Sequence, residues 1–195
     1  ISLNQGARIT DRASFRAYPW PDPDAFDYRA LGAVADDVPR GMKLIVCGPG
    51  GVLENVIALV GFDALCFLLE DDPGLAEDLF AAVGRRLVRH YEKATAYATV
   101  GACISNDDWG FKTQTMLSVE TMRRYVFPWH VRIVEAIHRA GRPAILHSCG
   151  QAQAIMEEIV SSMRYDGKHS YEDVIQPVEA AISMSNDPVT VGCSS

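Results

Sequence analysis

GRPAILHSCGQ, residues 141–151, decides how this chain is read. Gly141-Arg142-Pro143 stops a helix, since glycine closes its last turn and proline cannot continue it. Ala144-Ile145-Leu146 is an apolar run of strand length, and His147-Ser148-Cys149 ends it in groups that bind metals or move protons. In parallel α/β folds, ligands gather at the C-terminal ends of the strands.

The same pattern recurs on both sides. Met42–Cys47 (MKLIVC) ends in Gly48-Pro49-Gly50-Gly51, and Val100–Ser105 ends in Asn106-Asp107-Asp108. Asp166–His169 ends in Ser170, and Val189–Cys193 (VTVGC) ends in Ser194. Between these runs the period becomes helical. Short helices are expected at Leu53–Leu59 and Phe62–Glu70. Asp72-Pro73 caps and opens a helix to about Ala96, with Leu75, Leu79, Val83, Leu87 and Tyr91 as its apolar stripe. Ser118 caps a helix to Ala140 that buries Met122, Tyr125, Val126, Trp129, Ile133, Val134 and Ile137. Gln151–Met163 and Pro177–Ser183 are helical, with Ser170 capping a short helix between them. Residues 1–40, broken by Pro19, Pro21, Pro23 and Pro39, read as an extended segment whose Tyr18, Trp20 and Phe26 pack on a domain over 41–195.

Five apolar strands alternating with helices imply a parallel sheet covered on both faces. Two architectures fit, an open doubly wound sheet and a closed (β/α)8 TIM barrel. A barrel needs roughly 250 residues, so this chain would be an incomplete one with about five of the eight strands. It opens on Ile1 rather than Met and stops at Ser195 just after a strand-like run, so a fragment is expected.

The net charge of −7 over 195 residues argues against a phosphate-binding surface and against a polybasic membrane patch. Apolar runs such as Val56–Val60 are too short to span a bilayer, and the start, ISLNQGARIT, has no signal-peptide core. Five scattered cysteines suit the reduced thiols of a cytoplasmic enzyme, with Cys47, Cys66 and Cys103 as small buried hydrophobes.

The strand ends carry the candidate chemistry. Two apart on a strand, His147 and Cys149 point the same way and could share a zinc ion. The third ligand is left open between Cys193 and a carboxylate, Asp107 or Asp108. Those two aspartates also suit general acid–base work or substrate anchoring; the plainer reading is a capped turn. Gly50, Asn106, Trp109 and His169 are the expected substrate contacts, with Trp109 either walling the cavity or packing beneath it. The Gly48–Gly51 turn lacks the Lys-Ser/Thr of a phosphate loop and reads as a place where backbone approaches a ligand. His90, His130 and His138 read as surface or satisfied core residues.

Three stretches carry a resemblance: NDDWGFKTQTMLSVETMRRYVFPWHVRIVEAIHRAGRPAILHSCGQ (106–151), DGKHSYEDVIQPVEAA (166–181) and CGPGGVLENVIALVGFDALCFLLEDDPGLAEDLF (47–80). Together they resemble the uroporphyrinogen decarboxylase (URO-D) superfamily. The resemblance implies the barrel and two chemistries. One is a cofactor-free decarboxylase of tetrapyrrole biosynthesis, which needs basic rim groups; only Arg142 and Lys112 are candidates here. The other is a methyltransferase related to the corrinoid and coenzyme M enzymes, whose zinc site resembles His-x-Cys followed by a distant Cys. His147 and Cys149 match its first two positions and Cys193 would be the third. This branch is the expected one, with a small-molecule thiol as acceptor and a corrinoid protein as possible methyl donor. A third reading is a non-catalytic barrel piece that binds a partner or a second copy of itself.

Overall fold

Described in the computed structural model are residue 4, residues 7–172 and 174–175, and the backbone of residues 190–192. Five strands lie side by side in chain order, every pair parallel: β1 (Leu44–Cys47), β2 (Val100–Asn106), β3 (Ala144–His147), β4 (Gly167–His169) and β5 (Thr190–Gly192). A doubly wound sheet reverses its strand order at a switch point. A sheet that keeps one direction is an arc of a barrel, so the order itself decides between the two architectures.

The strands bury alternate residues. Val46, Cys103, Ser105, Ala144, Leu146 and Lys168 are buried on one face. On the other, Ile45, Cys47, Ile104, Asn106, Ile145, His147 and His169 are partly or fully open. The expectation of two covered faces is thus corrected. In a barrel the helices cover the outside only, and the inner face meets the barrel interior. Cys47, on that inner face, and Cys66 are exposed; of the three cysteines expected to be buried, only Cys103 is.

The segment before β1 is not simply extended. It holds α1 (Arg12–Ala17), a 3-10 turn at Pro23–Ala25 and α2 (Arg29–Ala33), started by side-chain caps from Asp11 and Asp22 at the first two. Tyr18, Trp20 and Tyr28 pack against the core. The link from β1 to β2 is α3 (Val52–Val60), α4 (Phe62–Asp71) and α5 (Pro73–Thr95). Asp72 accepts from Leu75 N and Pro73 opens α5, as its sequence implies. The whole α5 stripe, Leu75 to Tyr91, is buried.

The helix from Ser118 is broken. Ser118 caps α6 (Val119–Tyr125), and α7 (Phe127–Arg139) restarts at Phe127. Pro128 is the cause, because it has no N–H to give and its ring crowds the carbonyl four residues back. Residues 151–163 form a 3-10 turn at Gln153–Ile155 and a wide π-type turn at Glu158–Ser162 rather than one helix. Their apolar side chains Ile155, Met156, Ile159 and Met163 are still buried. Ser170 has φ +75° and lies beside the strand tips; the short helix expected after it falls mostly outside the described residues. Pro177–Ser183 lies outside the described residues. No single helix among the described residues is long and apolar enough to cross a membrane.

Candidate functional site

Strand register assembles the site. Asn106, His147 and His169 are direct neighbours across β2, β3 and β4, which puts them in one row at the strand tips. His147 and Cys149 open to the same side, with Nε2 and Sγ 3.7 Å apart. The Nδ1 atoms of His147 and His169 lie 2.7 Å apart and share one proton. With His147 as the donor, its Nε2 keeps a lone pair facing the thiol.

Asp108 completes the group. Its Oδ1 accepts from Cys149 N at 2.8 Å. Ligand atoms of Asp108, His147 and Cys149 all lie within 4.8 Å of one another. Two ligands of a tetrahedral zinc, one sulfur and one nitrogen, are about 3.6 Å apart. The observed 3.7 Å matches that. His169 on the far nitrogen of His147 is the partner that orients a ligating imidazole. The residues present therefore fit a zinc-type cation, with Asp108 as the third donor. Cys193, the other expected ligand, lies outside the described residues.

Beneath this group sits Lys168, 1% exposed. Its Nζ donates to Ser148 O at 2.9 Å and Ser170 O at 2.7 Å and stands 4.1 Å from the Tyr171 ring centroid. It thereby ties the turn after β3 to the turn after β4. Ser170 Oγ is 3.3 Å from Cys149 Sγ. Burial pushes the Lys168 ammonium down to about 8. Burial lowers His147, aided by His169 and Lys168 and opposed by Asp108, so its neutral form is favoured. Burial raises the Cys149 thiol, with Asp108 adding to the rise and Ser170 opposing it.

Asp107 turns the other way. It is 0% exposed and accepts from Leu53 N at 2.9 Å, Glu54 N at 3.0 Å and His130 Nε2 at 2.9 Å. His130 Nδ1 in turn meets Tyr165 OH at 2.7 Å. Helix α3 begins on Gly51, which has no side chain to cap it, so Asp107 supplies the missing acceptor from 54 residues away. The contact is close enough that a Cβ on Gly51 would lie 2.1 Å from the Asp107 carboxyl. Asp107 is thus placed to hold the loop after β1, remote from solvent.

The remaining expected residues divide. Trp109 is fully buried beneath the site, against Phe127 and His130. Gly50 has φ +83° and turns toward Asn55, whose amide bonds Pro49 O and Gly51 O. Asn106 stands in the row with His147, its Oδ1 buried and without a partner among the described residues. His169 bonds His147. Arg142 precedes β3 and so sits at the opposite end of the strand from His147, and Lys112 is exposed on the loop after β2. Sequence reasoning missed Lys168 and Ser170, although a lysine inside so short a buried strand was a signal in plain view.

Comparison with known proteins adds two findings. The family model described as Uroporphyrinogen decarboxylase (URO-D) matches residues 8–192. Among solved structures, the chain is similar to a methyltransferase from Methanosarcina mazei, with TM-score 0.70 and 12% identity over 85% of this chain and 47% of that one. The chain thus spans about half the length of that methyltransferase, and the likeness shows the fold. No curated protein matches.

Proposed function

The chain belongs to the uroporphyrinogen decarboxylase (URO-D) family, and from that premise we propose an enzyme that holds a zinc-type cation on Asp108, His147 and Cys149 and transfers a methyl group to a thiol. The observation that carries this reading is the convergence of one carboxylate, one imidazole and one thiol within 4.8 Å at the strand tips. Three protein donors leave one position open, the arrangement of a catalytic rather than a structural zinc site. When bound, the cation would hold a substrate sulfur in its thiolate form at neutral pH.

The chain's own residues prepare that site. His169 fixes the ring of His147, and the Lys168 bonds to two carbonyls keep Cys149 and Ser170 facing each other. Asn106 stands beside His147 in the same row, where its side chain would help shape the acceptor's place. In the transfer, a sulfur–carbon bond forms as the bond from the methyl group to its carrier breaks, and that electron pair leaves with the carrier. A corrinoid on a partner protein suits such a carrier, and a small thiol the acceptor; a cytoplasmic setting would keep Cys149 reduced.

The test is metal analysis and Co²⁺ titration of protein purified under reducing conditions. One equivalent of bound metal is expected, with a thiolate-to-cobalt absorption band. Asp108→Asn, His147→Ala and Cys149→Ser should each abolish or strongly weaken it. A folded protein that takes up no metal, or one unaffected by His147→Ala, would sink the proposal.

A further inference from the structure

On the helical side of the sheet, α3, α5 and the segment around residues 18–28 enclose a cavity of about 340 Å³. Its lining includes Pro49 and Asn55 at the loop after β1 but none of Asp108, His147, Cys149 or His169. Its size lies at the lower end of small-molecule sites. Four rings, Tyr18, Trp20, Phe26 and Tyr28, line it together with two cations, Arg8 and Arg86.

Arg86 is already oriented. Its Nε donates to Pro21 O at 2.8 Å and Nη1 to Ala82 O at 2.7 Å, and the guanidinium lies 4.6 Å from the Trp20 ring centroid. These bonds lock the fork but leave Nη2 without a partner among the described residues. Of the acids around these rings, Asp27 pairs with Arg29 at 2.8 Å and Asp24 with Arg89 at 2.7 Å and Lys93 at 2.6 Å, while Asp22 lies near enough to Arg86 to act on its charge but forms no ion pair with it. Nor does any described carboxylate form an ion pair with Arg8, whose backbone is pinned to Leu59 O at 2.7 Å. Tyr28 is held by His90 Nδ1 at 2.9 Å, and burial keeps that imidazole toward its neutral form.

A fixed guanidinium with an unused donor, on the wall of an aromatic cavity, calls for an anion attached to a ring. A cationic ligand would meet two like charges, and a neutral one would cover the guanidinium without bonding it. We propose that this cavity binds a small aromatic carboxylate, its ring among the four aromatic side chains and its carboxylate on Arg86, with Arg8 as the second cation. Phe26, 59% exposed, would be partly covered by such a ligand.

The test uses 2-naphthoate, with neutral 2-naphthylmethanol as its control, followed by calorimetry and tryptophan fluorescence on the whole chain. Naphthoate is expected to bind and to perturb Trp20, with the alcohol at least about tenfold weaker. Arg86→Met, which keeps the apolar stem over Trp20, should cost naphthoate about tenfold or more and leave the alcohol unchanged. Arg8→Gln, at an exposed side chain, should cost a smaller factor of the same sign. Equal binding of acid and alcohol, no binding at about 1 mM, or an affinity untouched by both arginine variants would overturn the proposal.

Discussion

Replacing Asp107 tests the division of labour between two adjacent aspartates. Asp107→Ala removes the acceptor for Leu53 N and His130 Nε2, both buried, and for the part-buried Glu54 N. Each buried donor left unpaired costs about 1–3 kcal/mol. Allowing for non-additivity within one network, the loss is about 4–6 kcal/mol, a large part of the stability of an ordinary domain. Asp107→Asn is gentler. Its amide oxygen can occupy the Oδ2 position and keep Leu53 N and His130, while the amide nitrogen faces Glu54 N. That forfeits one bond and should cost about 1–3 kcal/mol. Urea unfolding followed by far-UV circular dichroism reads both values. Asp108→Asn should show the reverse behaviour, with a near-normal urea midpoint and weakened Co²⁺ binding. Asp107→Asn should bind Co²⁺ as the parent does. If Asp107→Ala cost less than about 1 kcal/mol, the assignment of Asp107 as the trans cap of α3 would be refuted.

Three further outcomes are expected. Gly150 has φ +78°, and a Cβ there would lie 2.1 Å from Gly110 O, a backbone atom that cannot yield; Gly150→Ala should therefore lower the melting temperature and weaken Co²⁺ binding through the displaced Cys149, and a variant matching the parent in both would contradict the packing of these two loops. Lys168 has a folded pKa of about 8 against an ordinary 10.5, so the unfolded chain binds more protons between those values and this residue's contribution to stability should rise with pH across that window. The shift corresponds to about 3 kcal/mol, and because buried phenols and thiols pull the opposite way at alkaline pH, it should be read as the parent minus Lys168→Met difference in urea unfolding at pH about 7 and about 10.5; a difference that does not change with pH would show the ammonium is not desolvated. Cobalt affinity should climb about tenfold per pH unit while the raised Cys149 thiol must give up its proton, whereas His147, lowered by burial, should add no competing proton near neutrality; calorimetry in buffers of different ionisation enthalpy should find about one proton released, and none released would remove Cys149 from the ligand set.

Much of the helical layer was legible because its signals are local. The Asp72-Pro73 start of α5 and its five-residue stripe depend only on residues a turn apart, and both are realised. The kink at Pro128 was legible too, yet the long apolar face around it outweighed the proline in the reading. Lys168 escaped because a lysine in a strand is normally solvated, and only burial shows that its ammonium is satisfied by two backbone carbonyls.

From patterning alone came the parallel strands with reactive tips and the His147–Cys149 pair, since alternation along one strand needs no knowledge of its neighbours. Patterning could not order the strands, because a crossover helix looks the same whichever way the next strand is laid. The winding in one direction, and with it the barrel arc, came from hydrogen-bond register between segments more than twenty residues apart. Nor could it choose between Asp107 and Asp108. Side chains of neighbouring residues leave a strand on opposite faces, and which face holds helices and which the site is settled only when the sheet is assembled. That assembly sends one carboxylate to the start of α3 and leaves the other beside a thiol and an imidazole.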